Sequence, residues 1–248
     1  ASLSSHPSTP PKPGGFTAFH HMSADPHAAP HDWCKVLGDE LMLCRSALRD
    51  DQASAPGITH LDEKMCSVPT SYVLTDSLKL VLLYFSARWC GACIEFDNVI
   101  RDVQSALKPL AESADIEFVW ISCDLSEESY KTHLRRLGSF LGASWSPKRL
   151  QEAIARWDLK AMPCLLVMDA QDGRIVTSQA RRDVEDAYDD EIRGGGKGYL
   201  GLILHWLELL DEQRAALDDG LPLHGEDSSD DGDANSQGSG AELGPLED

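Results

Sequence analysis

Two cysteines that lie between an apolar run and a helical pattern constrain the fold of this chain more than any other feature. Leu80 to Phe85 is a continuous apolar run, which is typical of a strand covered on both faces. Cys90 and Cys93 follow, and after them apolar residues recur at three- and four-residue spacing, namely Phe96, Val99, Ile100, Val103, Leu107 and Leu110. That spacing predicts an amphipathic helix. The chain is therefore expected to pass from a buried strand into a helix through a turn that holds both sulfur atoms.

Strands and helices continue to alternate after this turn. Ile116 to Ser122 predicts a second buried strand, and Ser126 is suited to cap the helix that follows it. Ser146-Pro147 opens a further helix by the pattern of a capping residue followed by proline. Cys164 to Met168 and Arg174 to Thr177 predict a hairpin, because the segment between them ends in Asp-Gly. The order indicates an α/β fold, a three-layer sandwich in which a central mixed sheet is flanked by helices.

Composition divides the chain into five expected parts. Residues 1–31 carry six prolines and five of the nine histidines, which predicts a flexible arm with metal binding as the alternative role of the histidines. Residues 32–54 are expected to form a helical extension, with a helix from Asp32 to Arg49, and residues 55–193 to form the α/β domain. Residues 194–217 predict a glycine-rich connector and an apolar helix that docks on the domain or on a partner. Residues 218–248 predict a disordered acidic tail, because Gly, Ser and Asp bury too little surface to offset the entropy of ordering.

Charge and hydropathy argue against two classes of partner. The 248 residues include 22 Lys and Arg against 41 Asp and Glu, a net charge of −19, which disfavours direct binding to nucleic acid. No apolar run reaches the length of a membrane-spanning helix, so we expect no membrane partner. The seven cysteines are an odd number and the start of the chain has no secretory pattern, so we expect a reducing compartment. The cytoplasm is the first expectation, and the mitochondrial matrix, after removal of a targeting segment, is the alternative.

The position of the Cys-x-x-Cys pair predicts redox chemistry. Cys90 is expected at the N-terminus of the helix, where unpaired amide N–H groups, the helix dipole and the nearby Arg88 stabilise a thiolate. Cys90 is therefore the expected nucleophile, and Cys93, one turn further in, is expected to attack the mixed disulfide and release the reduced substrate. Half of a zinc site is an alternative, but the other five cysteines supply no second pair at similar spacing, so we expect no metal. A further alternative is that the motif is retained in a binding protein without catalytic activity.

Met162-Pro163 stands immediately before a predicted central strand. Proline lacks the N–H that a ladder needs, so its presence there calls for a special role. A cis bond that presses the Met162 backbone against the cysteine pair would provide one, and an ordinary trans proline at the start of a strand is the alternative.

The segment from Val81 to Cys93, which reads VLLYFSARWCGAC, resembles the active-site strand and motif of the thioredoxin superfamily, and more specifically of tryparedoxins and nucleoredoxins. Tyr84 stands where ordinary thioredoxins carry a buried aspartate. The resemblance extends over roughly residues 55–184 and includes three further stretches, namely Ala55 to Leu61, Ile121 to Asp124, and Met162-Pro163 through Arg181.

The resemblance implies a thioredoxin-like fold and a dithiol–disulfide oxidoreductase without a bound cofactor, working through a Cys90–Cys93 disulfide. In tryparedoxins, the dithiol trypanothione donates electrons that pass to peroxidases and other disulfide proteins. The expected electron donor is therefore trypanothione or another dithiol, and the expected partners are disulfide-containing proteins, among them peroxidases. Trp89 would shield the pair, and Met162-Pro163 would form the loop that faces the substrate. Arg181 matches a family arginine that could hold a carboxylate of the cofactor, and a solvated charge is its alternative role.

This chain also departs from the family pattern. Tryparedoxins carry two prolines between the cysteines, where Gly91 and Ala92 stand here, and this exchange alters the start of the helix. The acidic residue that follows Asp124 in the family is Leu125, so specificity for trypanothione is in question. Cys123 replaces a family tryptophan near the active site, and it is expected to be a small buried hydrophobe, with a third redox thiol as the alternative.

The alternative to an enzyme is a non-catalytic thioredoxin-fold subunit of a larger assembly. The His- and Pro-rich arm, the apolar helix and the acidic tail suggest it, because such additions could dock on other proteins.

Overall fold

A mixed sheet of eight strands runs through the protein, in the order β2-β3-β1-β6-β5-β4-β7-β8. The computed structural model describes residues 31–47, 57–62, 64–194 and 198–219. The strands are β1 (Glu40–Cys44), β2 (Thr59–His60), β3 (Met65–Pro69), β4 (Leu80–Ser86), β5 (Ile116–Ser122), β6 (Leu141–Ala143), β7 (Cys164–Asp169) and β8 (Ile175–Thr177). The helices are α1 (Trp33–Leu37), α2 (Thr70–Val73), α3 (Gly91–Ala114), α4 (Glu127–Leu137), α5 (Pro147–Arg156), α6 (Ala180–Arg193) and α7 (Gly198–Asp218), and a short 3₁₀ turn covers Arg45–Ala47.

Strand β4 lies inside the sheet, between β5 and β7, and all seven of its residues are buried. It pairs in parallel with β5 and antiparallel with β7, which confirms the buried strand expected from the apolar run. Successive side chains point to opposite faces of the sheet, so β4 contributes to both cores. Leu82 and Tyr84 pack in the core that α3 and α7 cover, whereas Leu83 and Phe85 pack in the core that holds Trp33 and Trp157.

The predicted helix starts are confirmed at two caps. The Ser126 side chain accepts a hydrogen bond from the Ser129 N–H at the start of α4, and the Ser146 side chain accepts one from the Arg149 N–H at the start of α5. Pro147 occupies the first turn of α5, where its missing N–H has no partner to lose. These caps fix where the chain turns away from β5 and β6.

The helix expected from Asp32 to Arg49 is wrong. Helix α1 ends after five residues, because Gly38 follows it with a φ of 95° that glycine adopts readily. The chain then extends into β1, in which Leu41 and Leu43 are buried on one face. Since β1 pairs with both β3 and β6, the domain boundary expected at residue 55 is also wrong. The apolar residues of this stretch fit either period, and pairing inside the sheet decided between them.

The C-terminal helices cover one face of the sheet. Helix α7 buries Leu202, Ile203, Trp206 and Leu210, so it docks on the domain itself. The Gln213 side-chain amide donates to the Val176 carbonyl, and Arg214 forms two hydrogen bonds with the Asp169 carboxylate.

Of the arm predicted over residues 1–31, the structure describes only His31, whose backbone N–H donates to the Gln171 carbonyl at 2.8 Å. Of the tail predicted over residues 218–248, it describes residues 218 and 219, and Asp218 still belongs to α7. The rest of the arm and tail, and residues 195–197 of the glycine-rich connector, lie outside the described residues.

Candidate active site

The sulfur atoms of Cys90 and Cys93 are joined as a disulfide at the start of α3. Cys90 is partly exposed, whereas Cys93 is fully buried. The Cys93 N–H donates to the Cys90 sulfur at 3.2 Å, and it is one of the amide groups that the first turn of a helix leaves without a helical partner. Such a donor, together with the helix dipole, favours the thiolate of Cys90 once the disulfide is reduced. The accessible sulfur is thus the one suited to attack.

The Met162-Pro163 peptide bond is cis, as the sequence analysis expects, and it places the Met162 backbone beside the disulfide. The Met162 carbonyl oxygen lies 3.9 Å from the Cys90 sulfur. Pro163 is buried, and β7 begins at the next residue and pairs with β4. Two segments separated by some seventy residues therefore meet at the reactive sulfur.

Trp89 forms an apolar rim beside the disulfide. Its side chain is 58% exposed, and its indole N–H donates to the Cys123 carbonyl at 3.1 Å. Leu125, two residues after Cys123, is 84% exposed. Gly91 and Ala92 are also exposed, and so is Arg88, so the surface next to Cys90 is open and carries a cation beside its apolar groups.

Asp124 ties the cysteine-bearing loop to the end of β5. Its Oδ1 accepts the Arg88 N–H at 2.9 Å, and its Oδ2 accepts the Ser122 hydroxyl at 2.9 Å. Burial works against the charge of Asp124, but hydrogen bonds from His133, the Arg88 N–H and Ser122 outweigh it and hold the pKa below its ordinary value. Asp124 is therefore ionised, and its hydrogen bond to the Arg88 N–H holds the loop that carries Cys90.

A buried cluster that the sequence analysis missed lies behind this loop. The ring nitrogens of His133 contact Asp97 and Asp124, with Nε2 2.9 Å from Asp97 Oδ2 and Nδ1 3.0 Å from Asp124 Oδ2. All three side chains are almost entirely buried. We name Asp97, His133 and Asp124 the carboxylate–histidine cluster. Burial lowers the pKa of His133, but hydrogen bonds and charge from the two carboxylates outweigh it and raise the pKa overall.

Tyr84 belongs to the surroundings of this cluster. Its hydroxyl donates to Asp97 Oδ1 at 2.7 Å, and the Ser86 hydroxyl donates to the same oxygen at 3.4 Å. Burial, together with the negative charge of Asp97, raises the pKa of Tyr84 well above its ordinary value. Tyr84 thus remains a neutral donor, buried below the cysteines.

Part of the chain that carries this geometry is similar to known proteins. A family model described as thioredoxin-like matches residues 77–175. Nucleoredoxin of Bos taurus is 30% identical over 160 residues, which are 61% of this chain and 33% of nucleoredoxin. Tryparedoxin of Trypanosoma brucei brucei is 27% identical over 133 residues, 53% of this chain and 88% of tryparedoxin. Over these ranges the chain is similar to thioredoxin-like proteins, among them nucleoredoxin and tryparedoxin.

The solved structures include tryparedoxin II of C. fasciculata, which is 28% identical to this chain with a TM-score of 0.44 and covers 54% of this chain and 86% of its own length. The nucleoredoxin match covers more of this chain but less of the relative, since the chain spans about a third of the length of the bovine protein. The thioredoxin-like fold expected from the sequence, a mixed sheet flanked by helices, is confirmed.

Two further cysteines lie near the Cys90–Cys93 disulfide. Burial, with a smaller contribution from the charge of Asp124, raises the pKa of Cys123 to about 12, and burial raises the pKa of Cys164 to about 11. Both sulfurs therefore carry a proton at neutral pH and are poor nucleophiles. This favours the small buried hydrophobe over the third redox thiol for Cys123.

Arg181 lies at the start of α6, where it pairs with Glu185 on its own helix at 2.9 Å. Its guanidinium group also lies 5.6 Å from the centre of the Phe96 ring, which belongs to the helix of the cysteines. The side chain is partly exposed, so a carboxylate ligand would have to compete with Glu185 for it.

Within the ranges described above, no helix is long and apolar enough to cross a membrane.

Proposed function

We propose that the chain is a thiol–disulfide oxidoreductase that reduces protein disulfides through the Cys90–Cys93 dithiol of its WCGAC motif. The observation that carries the proposal is the difference in exposure between the two cysteines at the start of α3. Cys90 is accessible and receives an amide N–H of the helix start, whereas Cys93 is buried one turn further in. Thioredoxin-like relatives support this general activity, and the specificity is the finer part of the proposal.

The reaction follows from that division. The Cys90 thiolate attacks one sulfur of a substrate disulfide, so that a mixed disulfide forms and the other substrate sulfur leaves as a thiolate. Cys93 then loses its proton and attacks the Cys90 sulfur, which forms the Cys90–Cys93 bond and releases the second substrate sulfur as a thiolate. The protein is oxidised by two electrons and the substrate is reduced by two. The Met162 carbonyl and Trp89 line the place where the substrate chain lies.

A dithiol restores the reduced protein, and trypanothione is the first candidate because of the resemblance to tryparedoxins. Exposed Leu125, where the family has an acidic residue, removes a charge that a cationic donor could use. Reduction of the oxidised protein by trypanothione, by glutathione and by thioredoxin reductase, compared at equal concentration, tests the donor.

We propose disulfide proteins, including peroxidases, as the targets. We propose a reducing compartment, the cytoplasm or the mitochondrial matrix, as the location, because five cysteines have no disulfide partner.

Catalysis of insulin reduction by dithiothreitol tests the activity. We expect the protein to accelerate precipitation of the insulin B chain and Cys90→Ser to abolish the acceleration, because the attacking sulfur is lost. Cys34→Ser is the matched control, since Cys34 is a partly exposed free cysteine on α1, and it should retain full activity. Failure of the unaltered protein to catalyse would reject the enzyme.

That failure would favour the second candidate, a non-catalytic thioredoxin-fold subunit. One observation supports it, namely that α7 leaves Leu200 and Leu204 about half exposed on an otherwise docked helix. Isolation of a stable complex from the native source, with the same partners for Cys90→Ser as for the unaltered chain, would support this second function.

A further inference from the structure

The carboxylate–histidine cluster holds an excess of one negative charge inside the protein. Each ring nitrogen of His133 faces a carboxylate oxygen at hydrogen-bond distance, so each of the two contacts needs a proton. Two protons shared among one imidazole and two carboxylates leave a net charge of −1, whichever atoms carry them. In the part of the chain that the structure describes, no lysine or arginine pairs with either carboxylate.

Fold stability does not explain such a cluster. Charged groups lose much of their hydration free energy on burial, and well-packed apolar residues of similar volume often stabilise a core as well or better. The neutral donors Tyr84, Ser86 and Ser122 and the Arg88 N–H reduce the cost, but they leave the net charge unchanged. A buried, uncompensated charge therefore indicates a role in the chemistry nearby.

The cluster flanks Cys90: a hydrogen bond joins Asp124 to the segment before it, and Asp97 stands on the helix that follows it. Asp97 follows Cys93 by four residues on α3, so both side chains lie on one face of the helix, and both are fully buried. Asp124 accepts the Arg88 N–H two residues before Cys90. Among the described residues, Tyr84 of β4 donates to Asp97 and stays neutral, and the charge of Arg181 of α6 acts on the Tyr84 hydroxyl.

We propose that the carboxylate–histidine cluster, through Asp97, receives the proton that Cys93 loses when it resolves the mixed disulfide. This inference rests on the proposed oxidoreductase function. The Cys93 S–H bond breaks and its proton passes to the cluster, whose net charge changes from −1 to 0. The Cys93 electron pair forms the bond to the Cys90 sulfur, and the bond between Cys90 and the substrate sulfur breaks. The substrate leaves as a thiolate, so atoms and charge balance.

The three residues have different parts in this step. Asp97 acts on Cys93 across one helical turn. His133 and Asp124 are positioning residues, because they act through Asp97 and hold its charge. The negative charge also keeps the proton on Cys93 until the mixed disulfide has formed, which leaves ionisation to Cys90 at the helix N-terminus.

Rapid mixing of the reduced protein with an aromatic disulfide whose released thiolate is coloured separates the two steps. The first release reports attack by Cys90, and the second reports resolution by Cys93. A Cys34→Ser background prevents that partly exposed thiol from contributing. In Asp97→Asn we expect the first release to stay within about twofold, and the second to slow by about a hundredfold or more at neutral pH, the size of a lost proton acceptor. The deficit should shrink as the pH rises, because hydroxide then takes the proton.

Asp169→Asn is the matched control. Asp169 is also a buried carboxylate, but β7 places it beside Leu80, at the opposite end of β4 from the cysteines. It should change neither release. The proposal is overturned if the second release in Asp97→Asn has the same pH profile as in the unaltered protein. It is also overturned if Asp97→Asn slows both releases equally. If the unaltered protein releases no thiolate from Cys90, the proposed function itself fails.

Nitrogen NMR of the His133 ring in the unaltered, reduced protein gives a second test, which decides the matter if Asp97→Asn does not fold. Both ring nitrogens should be protonated or proton-bridged at neutral pH, and their shifts should change when the dithiol is oxidised. A neutral ring with one bare nitrogen, or shifts that ignore the redox state, would contradict the proposal.

Discussion

The two ends of β4 handle buried carboxylates in opposite ways. Beside the first residue of β4, Asp169 accepts two hydrogen bonds from Arg214 and forms an ion pair with Arg174. Arg174 also pairs with Asp172. Two carboxylates and two guanidinium groups balance there. At its end, behind the cysteines, two carboxylates share a single histidine. This fold can therefore neutralise a buried acid completely, so the unbalanced charge beside the dithiol is a local property of that end.

Removal of Asp169 should have the largest effect on stability. Asp169→Ala leaves Arg174 and Arg214 without their main partner, and we expect a loss of about 3 kcal/mol in the free energy of unfolding, at the low end for buried pairs because Arg214 is partly exposed. Urea denaturation measures it. Asp186→Ala, which breaks an exposed pair on α6, should cost at most about 0.5 kcal/mol. Equal losses would show that Asp169 does not hold α7 to the sheet.

The balanced and unbalanced ends should differ next in their pH dependence. The pKa of His133 is raised by folding, so its contribution to stability is complete below about pH 6.5, its unfolded pKa, and is lost as the pH rises through the folded pKa. His133→Asn should therefore flatten the decline of the free energy of unfolding above that pH, as measured by urea denaturation at a series of pH values. Asp169→Asn should keep the decline, because arginine does not titrate there. An unchanged slope in His133→Asn would contradict the charge assigned to the ring.

The smallest effect is expected from Arg181, the cation nearest in sequence to the start of α6. Arg181→Ala removes an exposed ion pair and a contact with the Phe96 ring, and should cost about 0.5 to 1 kcal/mol. With dithiothreitol as donor, insulin reduction should change by less than about twofold, since the general step needs no carboxylate clamp. Arg182→Ala, its exposed neighbour, is the control. A large loss of activity confined to Arg181→Ala would give this side chain a part in the reaction.

Local patterns were sufficient to predict the elements that carry the dithiol. The apolar run of β4, the helical spacing of α3 and the serine caps all depend on residues within a few positions of one another. The juxtaposition of Met162 and Cys90 could be predicted as well, because a proline before a central strand needs a special reason. Each of these features depends either on residues close together in the sequence or on a residue type that is unusual at its position.

The carboxylate–histidine cluster could not be predicted in the same way. Asp97 and His133 are 36 residues apart, and each is a polar residue in a helical pattern, which ordinarily indicates a solvent-facing position. Only the packing of α3 and α4 beside the same strands turns both inward. The strand β1 was missed for a related reason, since its role depends on neighbours from β3 and β6 rather than on its own five residues.

The place of β1 has a practical consequence for any shortened form of the protein. The family model begins at residue 77, well after β1, yet β6 pairs on one side with that strand. A chain cut back to the matched region would leave the backbone N–H and C=O groups along β6 bare. Such an open edge can pair with a strand of another molecule, so the truncated chain is expected to self-associate. An assay of thiol chemistry would show this only as a lower amount of active protein.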